Sequence, residues 1–306
     1  MLENSNILLS SENMAPIEQA HLLRGFSSKK TPIKWIRFFR LCVLQREEAL
    51  KARKKKTAIM WGILLGIFIL ITILAPKIFT LALFVLLVLG GILNYIYRRN
   101  FNKKYADGYD FFASYFTALF TLMEEEMPET GVISLRANVK KTMSSEFFKS
   151  SNDANFKTQG FISGVEKFYE REICNGTCQL KDGAEANFSF IEVLRNRVIN
   201  KRGISGKRKV KNKYKTTYPF ILKMKIPKSL YILKPDVDSY DLKIEEDDNF
   251  YYLKAKRKFD IREEKPEDYS PYMYNSIHLF SVDYFTLEVM NLLNTCYGCF
   301  ILRNTI

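Results

Sequence analysis

The sequence predicts an α+β protein: a transmembrane helical hairpin with flanking amphipathic helices, followed by a mostly antiparallel β-sheet domain with one or two helices. Three observations predict it. Thr57–Ala75 (TAIMWGILLGIFILITILA) and Ile78–Tyr97 (IFTLALFVLLVLGGILNYIY) contain no charged side chain. The segments on either side repeat apolar residues at three- and four-residue spacings, the period of a helix with one buried face. Beyond Gly131 the period falls to two, the mark of half-buried strands.

Each apolar run is about 20 residues long, and at ~1.5 Å rise per residue a helix of that length crosses a hydrocarbon core of ~30 Å. Pro76 and Lys77 place a helix breaker and a charge between the runs, where a water interface belongs. Both runs are continuously apolar and lack the polar stripe of a surface helix, which favours a membrane hairpin over a buried hairpin in a soluble protein. Lys51, Arg53, Lys54, Lys55 and Lys56 precede the first run, and Arg98, Arg99, Lys103 and Lys104 follow the second. Basic segments beside a span stay cytoplasmic, so both termini are predicted in the cytoplasm. An ectodomain receptor does not fit so short an outer turn. With no ionisable residue inside either run, a transporter or channel is disfavoured. Gly62 and Gly66 form a GxxxG pair in the first run, and Gly90 and Gly91 fall at similar depth in the second. Small residues let helices pack closely in lipid, so these four are candidates for hairpin packing or a homo-oligomer.

The chain has 306 residues, enough for the hairpin and one soluble domain of ordinary size. Lys and Arg number 47 against 33 Asp and Glu, a formal charge of +14. In a membrane protein that excess points first to anionic lipid headgroups and only second to nucleic acid. The five cysteines are an odd number, and a cytoplasmic placement argues for reduced thiols. Met1–Ser28 lacks the basic and apolar regions of a cleavable signal peptide, so the first span serves as the insertion signal.

In chain order, residues 1–30 read as a flexible lead. Residues 31–56 read as a basic amphipathic helix, with Pro32 at its start, Ile33, Ile36, Phe39 and Val43 on one face and Lys34, Arg37 and Arg40 on another. Trp35 and Phe38 suit a helix lying on the cytoplasmic leaflet, which is favoured over packing on the protein's own domain. The hairpin occupies residues 57–97. Residues 98–128 form a juxtamembrane helix, with Phe101, Tyr105, Tyr109, Phe112, Phe116, Phe120 and Met123 on one stripe and Pro128 ending it. Residues 129–306 form the cytoplasmic α+β domain. Gly131–Lys149 is compatible with a short helix. Alternation marks Phe161–Arg171, Asn187–Val193, Tyr218–Ile226, Tyr240–Ile244 and Phe250–Phe259 as strands. In Tyr218–Ile226, the side chains of Tyr218, Phe220, Leu222, Met224 and Ile226 face one way and Lys223 and Lys225 the other. Val282–Asn294 is helical, and Tyr297–Arg303 is a last strand.

The strings SEFFKSS (Ser145–Ser151), FISG (Phe161–Gly164), FSFIEV (Phe188–Val193) and PFILKMKIPKS (Pro219–Ser229), followed by a closing helix and strand, come in a familiar order. With the preceding hairpin, they resemble a bacterial family of membrane proteins carrying a domain of unknown function. The resemblance implies two spans followed by a cytoplasmic β-rich domain, placed in a bacterial inner membrane, and brings no catalytic residues.

Two groups of residues invite chemistry. Lys201–Lys215 (KRGISGKRKVKNKYK) holds eight basic residues and no acidic one: Lys201, Arg202, Lys207, Arg208, Lys209, Lys211, Lys213 and Lys215. Held near a bilayer, each contributes roughly 1 kcal/mol of attraction to an anionic leaflet. Nucleic acid is not favoured, because no recognition module accompanies the charge. Cys174, Cys178, Cys296 and Cys299 form a CxxxC and a CxxC pair, spacings that zinc accepts. Against this, the pairs are far apart in sequence and the CxxC follows a helix instead of opening one. Asp236, Asp238, Asp241 and Glu245–Asp248 lack the glycine and terminal glutamate of a calcium loop. His21 and His278 stand alone. No HExxH, GxSxG, Walker or GxGxxG motif is present, so no catalytic residue and no cofactor is named. The expected function is a membrane-anchored cytoplasmic binding or scaffold module, with lipid, a protein partner or a second copy as its contacts. The alternatives are a membrane-tethered enzyme with a cysteine-based metal site, or a secreted effector inserting into a host membrane.

Overall fold

A computed structural model describes residues 24–74, 76–105, 115–138, 140, 142–235, 242–260 and 282–303. His21, His278 and the stretch Asp236–Asp241 lie outside them, as does most of the N-terminal lead. Among the described residues, the order is β1 (Gly25–Lys30), α1 (Pro32–Leu74), α2 (Phe79–Lys104), α3 (Thr117–Glu126), β2 (Ile133–Asn138), β3 (Phe148–Asp153), β4 (Phe161–Gln179), β5 (Glu185–Arg202), β6 (Arg208–Pro227), β7 (Tyr231–Leu233), β8 (Leu242–Glu246), β9 (Phe250–Asp260), α4 (Val282–Gly298) and β10 (Phe300–Leu302). The fold is α+β. It consists of two long apolar helices joined by a 3-10 turn at Pro76–Ile78, and an antiparallel sheet ordered β1-β2-β4-β5-β6-β9-β8, with β3 paired on β4. β10 and β7 make a separate two-stranded sheet.

Both long helices are apolar and long enough to cross a membrane. Only 11% and 6% of their most apolar windows are buried, whereas the core helix of a soluble protein would bury most of that surface. Ile63, Leu65, Ile69, Phe84 and Leu87 all point outward. The helices meet along Met60 and Leu64 on α1 and Gly90 on α2. Below the apolar zone, the Arg53 guanidinium lies over the Phe101 ring at 4.7 Å.

One face of the sheet is covered by α3, α4 and the first three turns of α1. Alternation along β5 and β6 sends Ala186, Phe188, Phe190, Phe220, Leu222 and Met224 into this layer. There they meet Phe116 and Phe120 near and within α3, and Phe285 and Val289 of α4. Gly176 on β4 has no side chain because the Phe188 ring occupies that space. The turn from β4 to β5 uses Gly183 at φ 80°, the left-handed region that favours glycine. Asp182 in that turn accepts hydrogen bonds from Tyr231 (2.6 Å) and Tyr297 (2.8 Å), tying β7 and α4 to the end of the sheet.

Four sequence expectations are corrected. The lead is not flexible through residue 30, because Gly25–Lys30 forms strand β1 and pairs with β2. The amphipathic helix and the first span are one uninterrupted helix, α1. Its Trp35, Phe38, Phe39 and Cys42 are buried in the domain core, and Trp35 Nε1 donates to the Ile133 carbonyl at 2.9 Å. A helix lying on the leaflet would leave that face to lipid; here Phe26, Phe116 and Phe120 cover it. The juxtamembrane helix is interrupted, since α2 ends at Tyr105, where φ and ψ (−116°, 82°) leave the helical region. Gly131–Lys149 carries strand β2 near its start, because Ile133, Leu135 and Ala137 alternate into the core, and among its described residues the helix is a single 3-10 turn at Ser145–Phe147.

Candidate functional site

The basic segment is the tip of a long β-hairpin. Lys201 and Arg202 end β5, and Arg208, Lys209, Lys211, Lys213 and Lys215 begin β6. Gly203–Lys207 closes the turn: Gly203 N–H donates to the Lys207 carbonyl (2.8 Å), and Gly206 takes φ 74°. The register sets like charges directly opposite: Lys201 against Lys209, Arg202 against Arg208, Arg197 against Lys213 and Arg195 against Lys215. Such pairs destabilise a sheet unless a counter-charge is near. Glu166 supplies one lower down, accepting from Arg197 Nε at 2.5 Å and lying 3.8 Å from Arg195. Among the described residues, no carboxylate stands opposite Lys201, Arg202, Arg208 or Lys209 in the ladder. Two apolar side chains sit among the bases, Ile204 fully exposed and Val210 mostly so. Sequence reasoning missed these two residues, although their placement between lysines was visible. Arg202 N–H also donates to the Gly160 carbonyl (2.7 Å), so the loop leading into β4 stands beside the tip.

Register locates the tip relative to the helices. The row through Phe26 of β1 continues to Ala137 of β2, Cys174 of β4 and Phe190 of β5. α1 starts beyond the Lys30 end of β1 and folds back over it, with Phe38 stacking edge-on against Phe26 at 5.0 Å. The long apolar helices therefore leave the sheet on the Gly25 side. The hydrogen bond from Arg24 Nη2 to the Asn102 carbonyl (3.0 Å) puts that end of β1 beside the end of α2. β5 leaves the same row on the same side and runs about 12 residues further to Arg202, or ~40 Å at ~3.3 Å per residue. α1 needs about 19 residues from Phe38 to Thr57, or ~28 Å at ~1.5 Å per residue. By these lengths, β5 extends past the row at least as far as α1 does before its apolar run begins.

The other predicted residues are placed differently. Of the four glycines, Gly90 lies at the contact between α1 and α2, where a Cβ would come 2.5 Å from the Trp61 ring. A Cβ on Gly62, Gly66 or Gly91 would meet nothing within 4 Å, so the GxxxG pair faces away from the partner helix. The cysteine pairs do not assemble. Cys174 and Cys178 lie on β4, Cys296 lies in α4 and Cys299 follows it. Among the described residues, no three His, Cys, Asp or Glu side chains gather to hold a metal ion. All five thiols are free and buried. Burial pushes Cys42, Cys178 and Cys296 up to about 12 and Cys174 well above the usual thiol range, which favours the neutral thiol.

Inside the domain, the Arg171 guanidinium and the Glu192 carboxylate form a buried ion pair across β4 and β5. Thr142 Oγ1 also donates to Glu192, and Arg171 donates to the Lys140 carbonyl. No family model, curated protein or solved structure matches the chain, so the functional reading rests on this geometry.

Proposed function

We propose that the chain is a two-span membrane protein whose α+β domain is a binding module at the cytoplasmic face of a bacterial inner membrane, seated on anionic lipid headgroups by the β5–β6 tip. The observation that carries this reading is the shared direction of the tip and the spans, set by strand register and the Arg24–Asn102 hydrogen bond. The charge supports it, because opposed Lys and Arg pairs without a carboxylate partner call for an external anion. Exposed Ile204 and Val210 suit the boundary between headgroups and acyl chains. The basic flanks of both spans support the cytoplasmic orientation, and the resemblance in the strings quoted above supports the bacterial setting.

The test uses the full chain in nanodiscs with a polarity-sensitive dye on Ser205→Cys. The five native thiols are buried, so they need not be removed. The expected result is a blue shift in discs containing phosphatidylglycerol and none in discs of phosphatidylcholine alone. Neutralising Lys207, Arg208, Lys209, Lys211 and Lys213 together should abolish the shift. Equal emission in both lipids would refute the seating. Labelling of the same cysteine by an impermeant maleimide in intact cells would refute the orientation.

A further inference from the structure

The face of the sheet turned away from the helices carries a second basic feature, far from the tip. Register defines a row across seven strands: Lys29, Ser134, Thr177, Asn187, Lys223, Lys254 and Lys243. The row has no acidic member. Its residues point outward because their neighbours in sequence, such as Leu222, Met224, Leu253 and Ala255, are buried in the core. Lys223, Lys254 and Lys243 are direct cross-strand neighbours on β6, β9 and β8. Adjacent strands are ~4.8 Å apart, so three ammonium groups share a span of roughly 10 Å. The ion pair at this end of the sheet joins Lys228 to Glu246 (2.9 Å), and none of the three row lysines enters one among the described residues. Like charges set directly opposite cost stability, and among the described residues the nearest carboxylates, Glu185 and Glu245, stand one row away and form no ion pair with the three lysines.

We infer that this row is a binding site for a compact oligophosphate, either inorganic or the phosphate chain of a nucleotide. The three lysines line an open groove of about 490 Å³, a volume suited to a small ligand. Glu185 and Glu245 border the groove and flank Lys225 and Tyr252 in the next row, which limits the basic patch to a short anion. A long nucleic-acid track would meet those carboxylates. Lipid is not the source, because the row lies at the Lys30 end of β1, away from the spans.

The test is calorimetric titration of the full chain in phosphatidylcholine nanodiscs with tripolyphosphate, ATP and AMP. Tripolyphosphate should bind, and Lys223→Ala/Lys243→Ala/Lys254→Ala should weaken it at least tenfold. Neutralising the hairpin tip should leave it within twofold. ATP binding as tightly as tripolyphosphate, with AMP much weaker, assigns the nucleotide form; tripolyphosphate binding alone assigns the inorganic form. A second readout protects against a misfolded triple variant. Lys254→Thr relieves the repulsion, so it should melt higher than wild type without ligand and gain less from added tripolyphosphate. The site is overturned by absence of tripolyphosphate binding, by unchanged affinity in the triple variant, or by equal loss in the tip variant. A single-stranded oligonucleotide that binds through the same lysines more tightly than tripolyphosphate overturns the compact ligand.

Discussion

At the scale of single residues, the domain's stability rests on a few sites where one atom more or less decides the packing. Gly176 is one of them. The Phe188 ring fills the space of its missing side chain and stacks on Phe220 at an interplanar angle of 9°. Gly176→Ala should therefore cost about 1–3 kcal/mol, the range for overpacking a closed core, measured as a shift in the denaturation midpoint. The Arg171–Glu192 pair is another. Arg171→Met leaves a buried carboxylate without its partner and should cost about 3–5 kcal/mol, while Arg171→Met/Glu192→Leu recovers most of the loss. If the double variant were no more stable than the single, the pair would not be the source of the cost. The thiols give a pH signature. Their folded values are raised above the ordinary 9.0 by burial, so their contribution is intact below pH 9 and is lost as pH rises towards about 12. Chemical denaturation between pH 8 and 10.5 should show this decline, and Cys296→Ala should flatten it.

At the scale of elements, α1 runs from the domain into the apolar hairpin without a break, its first turns in the aromatic core and its last in the hairpin. The hairpin closes on Gly90 beneath Trp61. Gly90→Leu should separate the helices and lower the melting temperature in detergent, while Gly62→Leu and Gly66→Leu leave the hairpin intact because both face outward. A loss of hairpin stability in Gly62→Leu would contradict this packing. The spans and the strand Tyr218–Ile226 were legible in the sequence because each carries its signal locally, as an uncharged run or as strict alternation. β1 was not legible, since GFSSKK buries only Phe26 and owes its strand form to pairing with β2. The placement of Trp35 was misread for a different reason: an apolar face has the same period whether lipid or protein covers it. The row Lys223–Lys254–Lys243 was hidden because its members are distant in sequence and meet only through strand register. The hairpin tip was legible as charge, but its direction towards the spans emerged only from register and the Arg24 contact.

At the scale of the whole molecule, the proposed seating involves two kinds of attachment to a bilayer, and their different physics lets them be separated. The apolar helices are held by the hydrophobic effect, which salt does not weaken. On the proposed seating the tip is held by exposed charges on lipid headgroups, whose interaction is screened over ~10 Å at 0.1 M salt and ~3 Å at 1 M. Raising salt should therefore reverse the blue shift of a dye at Ser205→Cys in anionic nanodiscs, while the protein remains with the membrane through salt washing and alkaline carbonate. The undocked domain would still be tethered by α1 and by the Arg24–Asn102 contact. Its circular dichroism should be unchanged, because the sheet's core contains none of the tip residues. Extraction by salt would mean that the apolar helices do not span the bilayer. A dye signal indifferent to salt would mean that Ile204 and Val210, and not the basic residues, hold the tip.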